Sequence, residues 1–161
     1  MFNQSITQLA EKNLKSRLED HSNSVNIVIF DPSSERLFSA SSDCTVKIWS
    51  DNNANSVMTC IDTLKGHNYP ITSIVYSSQD NLLFTGGLEG VVVIWQEDSQ
   101  GTFRSINYIS HYSSVVNKQL SPIQQMIYDH TTNYLIVASS SNLLYSHFIS
   151  PYGTPKIDEK G

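Results

Sequence analysis

The sequence contains little cysteine, and the two cysteines that occur do not make a disulfide framework. Cys44 and Cys60 stand alone among 161 residues, and neither has a second thiol or a histidine at the spacing of zinc ligands. Small disulfide-stabilised domains carry a larger, paired set of cysteines. We therefore expect both thiols to be reduced.

Long hydrophobic runs are also missing. No stretch of the sequence approaches the roughly 18 to 20 apolar residues that are needed to cross a bilayer. Residues 1–13 show neither the basic start nor the apolar segment of a secretory signal. These absences predict an intracellular protein, cytoplasmic or nuclear, that does not insert into a membrane.

Charge is sparse and mainly negative. Charged residues make up 16% of the chain, and its formal net charge is −5. Surfaces that bind phosphates or anionic lipids depend on clustered Lys and Arg. The composition therefore disfavours nucleic acid as a partner. The 39% hydrophobic share, with eight Tyr and six Phe, is typical of a soluble globular protein rich in sheet.

Patterns of metal, cofactor or phosphate sites are also lacking. The five histidines are spread through the chain without metal-ligand spacing. Gly86, Gly87 and Gly90 lie in and after a predicted strand, without the Lys, Ser or helix start that follows a phosphate-binding loop. We expect no metal, no cofactor and no small-molecule substrate.

The sequence does contain an internal repeat. Residues 18–49 align with residues 64–95 at a shift of 46 positions, without a gap. A third, fainter copy appears at a further shift of 52, where Tyr76 falls on Tyr128 but Trp95 falls on His147. Such a period indicates a repeat architecture. The identical pairs of the first two copies are Leu18 with Leu64, His21 with His67, Leu37 with Leu83, Phe38 with Phe84, Val46 with Val92, Ile48 with Ile94 and Trp49 with Trp95.

Each copy is predicted to form short strands, because its apolar residues come in short runs that are bounded by turn-forming residues. The dipeptide Glu89-Gly90 is of the kind that supplies a positive φ in a tight hairpin. Four antiparallel strands to a unit would make a propeller blade. The predicted strands are 25–30, 37–41, 45–49, 57–64, 71–76, 82–86, 91–95 and 103–109.

The two ends of the chain are predicted separately. Residues 12–18 suit an outermost strand that leads into the first copy, whereas residues 5–13 suit a short amphipathic helix, and both interpretations stay open. Residues 151–161 are typical of a linker or tail. The predicted divisions are an extension at 1–11, blades at 12–50, 57–96 and 103–148 within a repeat region of 12–150, and a tail at 151–161.

Three short motifs of the second copy lie at characteristic intervals. The first copy follows the same pattern, with Asp20 and His21 in place of the usual Gly-His and with a run that ends at Trp49. The motifs are Leu64-Lys65-Gly66-His67, Leu83-Phe84-Thr85-Gly86-Gly87 and Val93-Ile94-Trp95.

These motifs resemble WD40 repeats, and the resemblance covers roughly residues 12 to 148. It implies an all-β fold of WD40-type propeller blades, each of four antiparallel strands. It also implies a non-catalytic scaffold that mediates protein-protein interactions within a larger intracellular complex. About three blades are expected, which make an open arc rather than a closed ring, since such rings rarely have fewer than four.

The resemblance further implies a buried hydrogen-bond chain of imidazole, hydroxyl, carboxylate and indole in each blade. Residues of these types can satisfy one another's polar atoms. Glu89 departs from the usual Asp, so its extra methylene is expected to loosen the second network. The implied members are His21, Ser39, Asp43 and Trp49 in the first copy, and His67, Thr85, Glu89 and Trp95 in the second.

Two other functions compete with the scaffold. Ser39, His21 and Asp43 could form a hydrolase triad, but the same trio recurs in the next copy, and a repeated scaffold needs it more often than an enzyme does. A ribonucleoprotein or nucleic-acid-associated subunit would use scattered cations instead. The cations available for it are Lys12, Lys15, Arg17 and Lys118.

Protein partners are expected on the face formed by the loops before the first strands and by the tight turns. Tyr69 is the best anchor candidate, because an aromatic residue at a loop tip offers a large contact area; the alternative, that Tyr69 merely packs on its own loop, stays open. We also expect another chain or copy to complete the open arc, unless the sequence is part of a longer reading frame. The candidate partner-binding residues are Asn23, Ser24, Ser42, Asn68, Tyr69, Pro70 and Leu88.

Overall fold

A computed structural model describes residues 17–51, 57–114, 119–141 and 143–150. Within these residues the secondary structure consists of strands and turns without any helix, so the prediction of an all-β fold is confirmed. No helix in this part of the chain is long and apolar enough to cross a membrane. The alternatives for residues 5–13 and most of 12–18 lie outside the described residues, as does the predicted tail.

The first sheet contains four antiparallel strands that follow one another in space as they do in sequence. Valine, isoleucine, phenylalanine and threonine supply most of these strands, since β-branched and aromatic side chains pack well on a pleated surface. The strands are β1 (Val25–Asp31), β2 (Arg36–Ser41), β3 (Thr45–Ser50) and β4 (Thr59–Lys65).

The second sheet repeats this plan. Its four strands are again antiparallel and in sequential order. All eight strands predicted for the first two copies are present, with ends that differ by at most two residues. The strands of the second sheet are β5 (Ile71–Ser77), β6 (Leu82–Gly87), β7 (Val91–Glu97) and β8 (Phe103–Ser110).

The third copy forms a sheet of three strands, preceded by a two-stranded ribbon of β9 (Tyr112–Ser114) and β10 (Gln119–Leu120). Its strands are β11 (Ile123–Asp129), β12 (Tyr134–Ser139) and β13 (Leu144–Phe148). Three successive antiparallel sheets are the arrangement that the resemblance to WD40 repeats implied, so the predicted incomplete propeller of about three blades is confirmed, with three described strands and not four in the third sheet.

Two backbone features recur in all three sheets. The pairing of the first two strands shifts register after Val25, Ile71 and Ile123, which occupy equivalent positions. Glu35, Asn81 and Asn133, also equivalent, have positive φ angles between 53° and 58°. Because bulges and left-handed turns are specific local structures, the faint third copy shares the backbone of the first two.

The sheets are offset from the sequence repeats by one strand. β4 begins the second copy of the repeat, but it pairs with β3 and completes the first sheet. The predicted divisions at 12–50, 57–96 and 103–148 therefore follow the repeat, whereas the sheets span 25–65, 71–110 and 123–148. Antiparallel strands that are adjacent in sequence usually pair with each other, and here that local pairing determines the sheet boundary.

Two hydrophobic layers fill the spaces between the sheets. Phe38 of the first sheet is 0% exposed and packs on Tyr76 of the second, while Phe84 of the second packs in the same way on Tyr128 of the third. The second sheet is thus buried on both faces, as its almost uninterrupted apolar strands β6 and β7 require.

A buried ion pair also joins the first two sheets. The Arg36 guanidinium donates two hydrogen bonds to the Glu97 carboxylate, at 2.7 and 2.9 Å, and the Tyr76 hydroxyl donates a third at 2.6 Å. The Arg36 and Glu97 side chains are 11% and 9% exposed. The sequence did not predict this pair, since its members are 61 positions apart and belong to no motif.

Candidate functional site: the loop face and the hydrogen-bond networks behind it

The structure brings together the four polar residues that the resemblance implied for the first copy. His21 lies in the loop before β1, Ser39 on β2, Asp43 in the β2–β3 turn and Trp49 on β3. The His21 Nδ1 is 2.7 Å from the Asp43 Oδ2, and its Nε2 is 2.7 Å from the Ser39 Oγ. The Trp49 indole donates to the same hydroxyl oxygen at 2.8 Å. A continuous chain of hydrogen bonds therefore ties the loop to β2, to β3 and to the turn between them.

Asp43 accepts more hydrogen bonds than any other side chain of this network. Its carboxylate accepts from the backbone N–H groups of Ser22 and Thr45 and from the Thr45 hydroxyl, as well as from His21. Burial alone would raise the pKa of Asp43, but the hydrogen bonds from Thr45, His21 and Ser22 hold it well below its usual range. The carboxylate is consequently ionised at neutral pH and fixes the tight turn.

The second copy has a similar network, but the carboxylate of its tight turn accepts fewer hydrogen bonds. The His67 Nε2 is 2.7 Å from the Thr85 Oγ1, which accepts from the Trp95 indole at 2.9 Å. The His67 Nδ1 contacts one oxygen of the Glu89 carboxylate. The other oxygen, Oε2, is buried without a hydrogen-bond partner. The Glu89 carboxylate thus has fewer hydrogen-bond partners than the Asp43 carboxylate, while its contact with His67 is kept; the expected loosening of the second network stays a prediction.

Neighbouring residues account for this difference between the two turns. Val91 stands where the first copy has Thr45 and so has no hydroxyl to offer Glu89. Gly87 stands where the first copy has Ser41, and a Cβ added at Gly87 would meet the Glu89 carboxylate. The glycine thus leaves the space that the longer acid occupies.

The third copy replaces the network with a pair of histidines. His147 stands at the position of Trp95, and its Nε2 is 2.9 Å from the Nε2 of His111. His111 is only 1% exposed, and its ring centroid is 4.6 Å from that of Tyr145. Burial lowers the pKa of His111 to about 4 and also lowers that of His147. One signal for this pair is present in the sequence, namely a histidine at a position where the other copies bury a tryptophan.

The loop before each first strand is joined to the tight turn of the same sheet. The Ser42 N–H donates to the Ser24 carbonyl at 2.8 Å, and the Leu88 N–H donates to the Pro70 carbonyl at 3.0 Å. The third sheet has the equivalent bond, at 2.9 Å. Loops and turns therefore form one continuous surface at the same end of the sheets, which we call the loop face.

All seven predicted partner-binding residues lie on the loop face. Tyr69 and Leu88 are 57% and 42% exposed, so this surface presents an aromatic and an aliphatic side chain to solvent. Asn23, Ser24 and Asn68 are exposed, whereas Ser42 and Pro70 are half-buried. The face combines exposed apolar side chains with amide- and hydroxyl-bearing ones, which is a composition that protein interfaces use.

The Ser39, His21 and Asp43 side chains lie close together and are hydrogen-bonded to one another. Ser39 is 3% exposed, and its oxygen is engaged by both an imidazole and an indole. A nucleophile needs an accessible oxygen beside its base. Among the described residues, no group of three or more His, Cys, Asp or Glu side chains is arranged to hold a metal ion.

Comparison with known proteins supports the family directly. The model of the WD domain, G-beta repeat, matches residues 12–50 and 58–96. The chain belongs to the WD40-repeat family. Both matched segments of this WD40-repeat chain end one residue after the indole that closes a hydrogen-bond network.

The WD40-repeat chain is similar to several larger proteins. It is 30% identical over 120 residues to the Denticleless protein homolog of Gallus gallus, a match that covers 72% of this chain and 16% of that protein. It is 28% identical over 103 residues to Denticleless protein homolog B of Xenopus laevis, which covers 62% and 14%. It is 37% identical over 62 residues to the pre-mRNA-splicing factor cwf17 of Schizosaccharomyces pombe, which covers 38% and 17%. The chain thus matches about a sixth of the length of these relatives.

Proposed function

We propose that this WD40-repeat chain is a non-catalytic scaffold that binds protein partners through its loop face, within a larger assembly in the cytoplasm or nucleus. The observation that carries the proposal is the exposure of Tyr69 and Leu88 on the loop face. The backbone of this face is held by hydrogen bonds between its loops and turns. A rigid loop loses little conformational entropy on binding, so more of the contact energy appears as affinity.

The two networks give the loop face its rigidity. His21 and His67 sit in the loops that carry the face, and each is hydrogen-bonded to a turn carboxylate and to a strand hydroxyl. Polar groups engaged in this way brace the loops against the strands. This use of the side chains supports the proposed non-catalytic scaffold.

Purification of the tagged chain from its own cells, followed by mass spectrometry of the proteins that accompany it, tests the proposal. We expect a defined set of proteins that is retained when the salt concentration is raised, because contacts made by apolar side chains are only weakly screened by salt. Recovery of the chain without any accompanying protein would contradict the proposal.

The second candidate is a structural subunit of a ribonucleoprotein, and the name of the cwf17 relative, a pre-mRNA-splicing factor, is what favours it. Lys12, Lys15 and Lys118 lie outside the described residues, and Arg17 lies 3.8 Å from Glu19. Binding to RNA would weaken steeply as salt is raised, because counterions are released from the phosphates. A steep salt dependence together with nuclease-sensitive recovery of partners would favour this candidate over the scaffold.

A further inference from the structure

A cavity of about 270 Å³ opens between the second and third sheets, at the end opposite the loop face. β5 and β11 both run away from the loop face, and the cavity lies where these strands end and their turns begin. Typical small-molecule sites have roughly 300 to 1,000 Å³, so this cavity has room for one side chain rather than for a larger ligand. We call it the polar cavity, and it is lined by Tyr76, Ser77, Gln79, Tyr128, Asp129 and His130.

Asp129 supplies a carboxylate to the lining of the polar cavity. It accepts hydrogen bonds from the Thr131 N–H at 3.0 Å and from the hydroxyls of Thr131 and Thr132, both at 2.7 Å. These hydrogen bonds lower the pKa of Asp129 to about 2, so the carboxylate is ionised at neutral pH. None of the ion pairs among the described residues includes Asp129.

A second carboxylate, that of Asp80, lies beside the cavity. It accepts a hydrogen bond from the Ser77 hydroxyl at 2.8 Å, and it too belongs to none of the ion pairs among the described residues. Burial, together with the negative charges of Asp80 and Asp129, raises the pKa of Tyr128 to about 12. Both carboxylates therefore act on a side chain that lines the cavity, which favours a positively charged ligand.

The contact between the first and second sheets shows how this fold holds a guanidinium. The Arg36 guanidinium lies 5.7 Å from the Tyr76 ring centroid and donates to the Tyr76 hydroxyl at 3.0 Å. It also donates to the Glu97 carboxylate. The contact between the second and third sheets keeps the tyrosine but has apolar residues in place of the arginine and the glutamate. The residues equivalent to Arg36, Tyr76 and Glu97 are Leu82, Tyr128 and Ile149.

The polar lining distinguishes this cavity from a neighbouring one. A cavity of about 240 Å³ lies between the first and second sheets at the same end of the molecule. Its carboxylate, Asp31, accepts hydrogen bonds from the side chains of Ser33 and Ser34, and the rest of its lining is aliphatic or aromatic. The neighbouring cavity is therefore poorly suited to a cation. It is lined by Ile29, Phe30, Asp31, Ile74, Val75 and Tyr76.

We propose that the polar cavity binds the side chain of an arginine that a partner protein exposes. The positive charge of the guanidinium complements Asp129 and Asp80, and its N–H groups can donate to acceptors of Gln79, Tyr128 and Asp129. A lysine ammonium is more strongly hydrated and has no planar group to lie along a tyrosine, so it fits this lining less well. The cavity lies at the opposite end from the loop face, so this contact is separate from the proposed function of that face.

Proton–nitrogen correlation NMR spectra of the full chain, titrated with N-acetyl-arginine amide, test the proposal. We expect saturable shifts of the backbone signals of residues 77–80 and 128–131 and of the Gln79 side-chain amide. N-acetyl-citrulline amide, which has nearly the same shape without the positive charge, is expected to cause none of these shifts. N-acetyl-lysine amide is expected to bind at least about fivefold more weakly than the arginine probe.

Two variants test the lining. Asp129→Asn keeps an oxygen that can accept from Thr131 but removes the charge, so the arginine probe is expected to bind about fivefold or more weakly. Gln79→Ala removes an exposed side chain and is also expected to weaken binding. Asp98→Asn is the matched control, because Asp98 lies at the same end of the molecule, outside the cavity lining, with its carboxylate 3.9 Å from Arg104. Circular dichroism and thermal unfolding establish that each variant is folded.

Weaker binding in Asp129→Asn and Gln79→Ala, with unchanged binding in Asp98→Asn, would support the proposal. An equal loss in all three variants, or shifts spread over the whole chain, would show general attraction to a negatively charged protein and would overturn it. The absence of saturable shifts, or equal binding of the citrulline or lysine probe, would overturn it as well. Tighter binding of free L-arginine than of the blocked probe would overturn the assignment to a side chain of a partner protein.

Discussion

Asp43 and Glu89 occupy equivalent tight turns and differ by one methylene. Their carboxylates differ in the number of hydrogen bonds that they accept. Asp43 accepts hydrogen bonds on both of its oxygens, whereas one oxygen of Glu89 is buried without a partner. A buried acceptor without a hydrogen bond typically costs about 1 to 3 kcal/mol. The second turn is therefore the weaker of the two, and Gly87 is the compensating change that lets it form.

Asp43→Glu is expected to lower the free energy of unfolding by about 1 to 3 kcal/mol, because the longer side chain loses hydrogen bonds and meets Ser41. Adding Ser41→Gly should recover part of that loss, so the double variant is expected to lose less stability than the two single variants together. Urea denaturation of the three variants measures the coupling. Strict additivity would show that residue 41 and the turn acid do not share this space.

Glu89→Asp is the reciprocal change. The shorter acid can accept from the backbone N–H groups that its counterpart uses in the first copy, so we expect the free energy of unfolding to be equal to or above that of the wild type. Urea denaturation again measures it. A loss of more than about 1 kcal/mol would contradict the assignment of Glu89 as the weaker acceptor.

At the scale of elements, the buried His111 and the half-buried His147 beside it make the packing of the third sheet sensitive to acid. The folded-state pKa of His111 is about 4, below its ordinary value of 6.5. Above pH 6.5 both the folded and the unfolded chain hold the ring neutral. As the pH falls towards about 4 the unfolded chain binds the proton first, so folding loses stability over that window.

We therefore expect the free energy of unfolding to fall between about pH 7 and about pH 5. His111→Phe should remove much of that dependence, whereas His130→Gln should retain it, because His130 is exposed. Urea titrations at each pH provide the measurement. An unchanged pH dependence in His111→Phe would contradict a role for the buried pair.

The Arg36–Glu97 pair is expected to bind the first sheet to the second. Arg36→Ala should lower the free energy of unfolding by about 3 to 5 kcal/mol, because it leaves a buried carboxylate without its cation. The double variant Arg36→Met with Glu97→Leu is expected to lose much less, since no charge is then left buried. Thermal unfolding distinguishes the two outcomes, and equal losses would show that the charge itself is not the cause.

The strands of the first two copies were predictable because a strand is a local pattern of apolar runs and turn residues, and each run is bounded by its own turns. The pairing of β4 with β3 was not predictable from the sequence. A sequence repeat determines the spacing of the strands, but it leaves open which sheet each strand joins. The His111–His147 pair was also missed. Its members are 36 positions apart and meet only because the third sheet packs on the second.

At the scale of the whole molecule, the resemblance to WD40 repeats located the loop face, since all seven predicted residues lie at one end of the sheets. Sequence alone did not distinguish the exposed members from the half-buried ones. Tyr69 and Leu88 project because the hydrogen bond between Pro70 and Leu88 holds loop and turn together beneath them. We expect partner affinity to depend on these two side chains more than on the amide and hydroxyl residues around them.

The affinity of Tyr69→Ala for a protein that co-purifies with the wild type tests this account most directly. Tyr108→Ala is the matched control, because Tyr108 is a tyrosine of similar exposure, 52%, on β8. The account predicts at least a fivefold loss of affinity, about 1 kcal/mol or more, for Tyr69→Ala only, with thermal stability unchanged in both variants. Equal affinity in the wild type and both variants would contradict binding through the loop face.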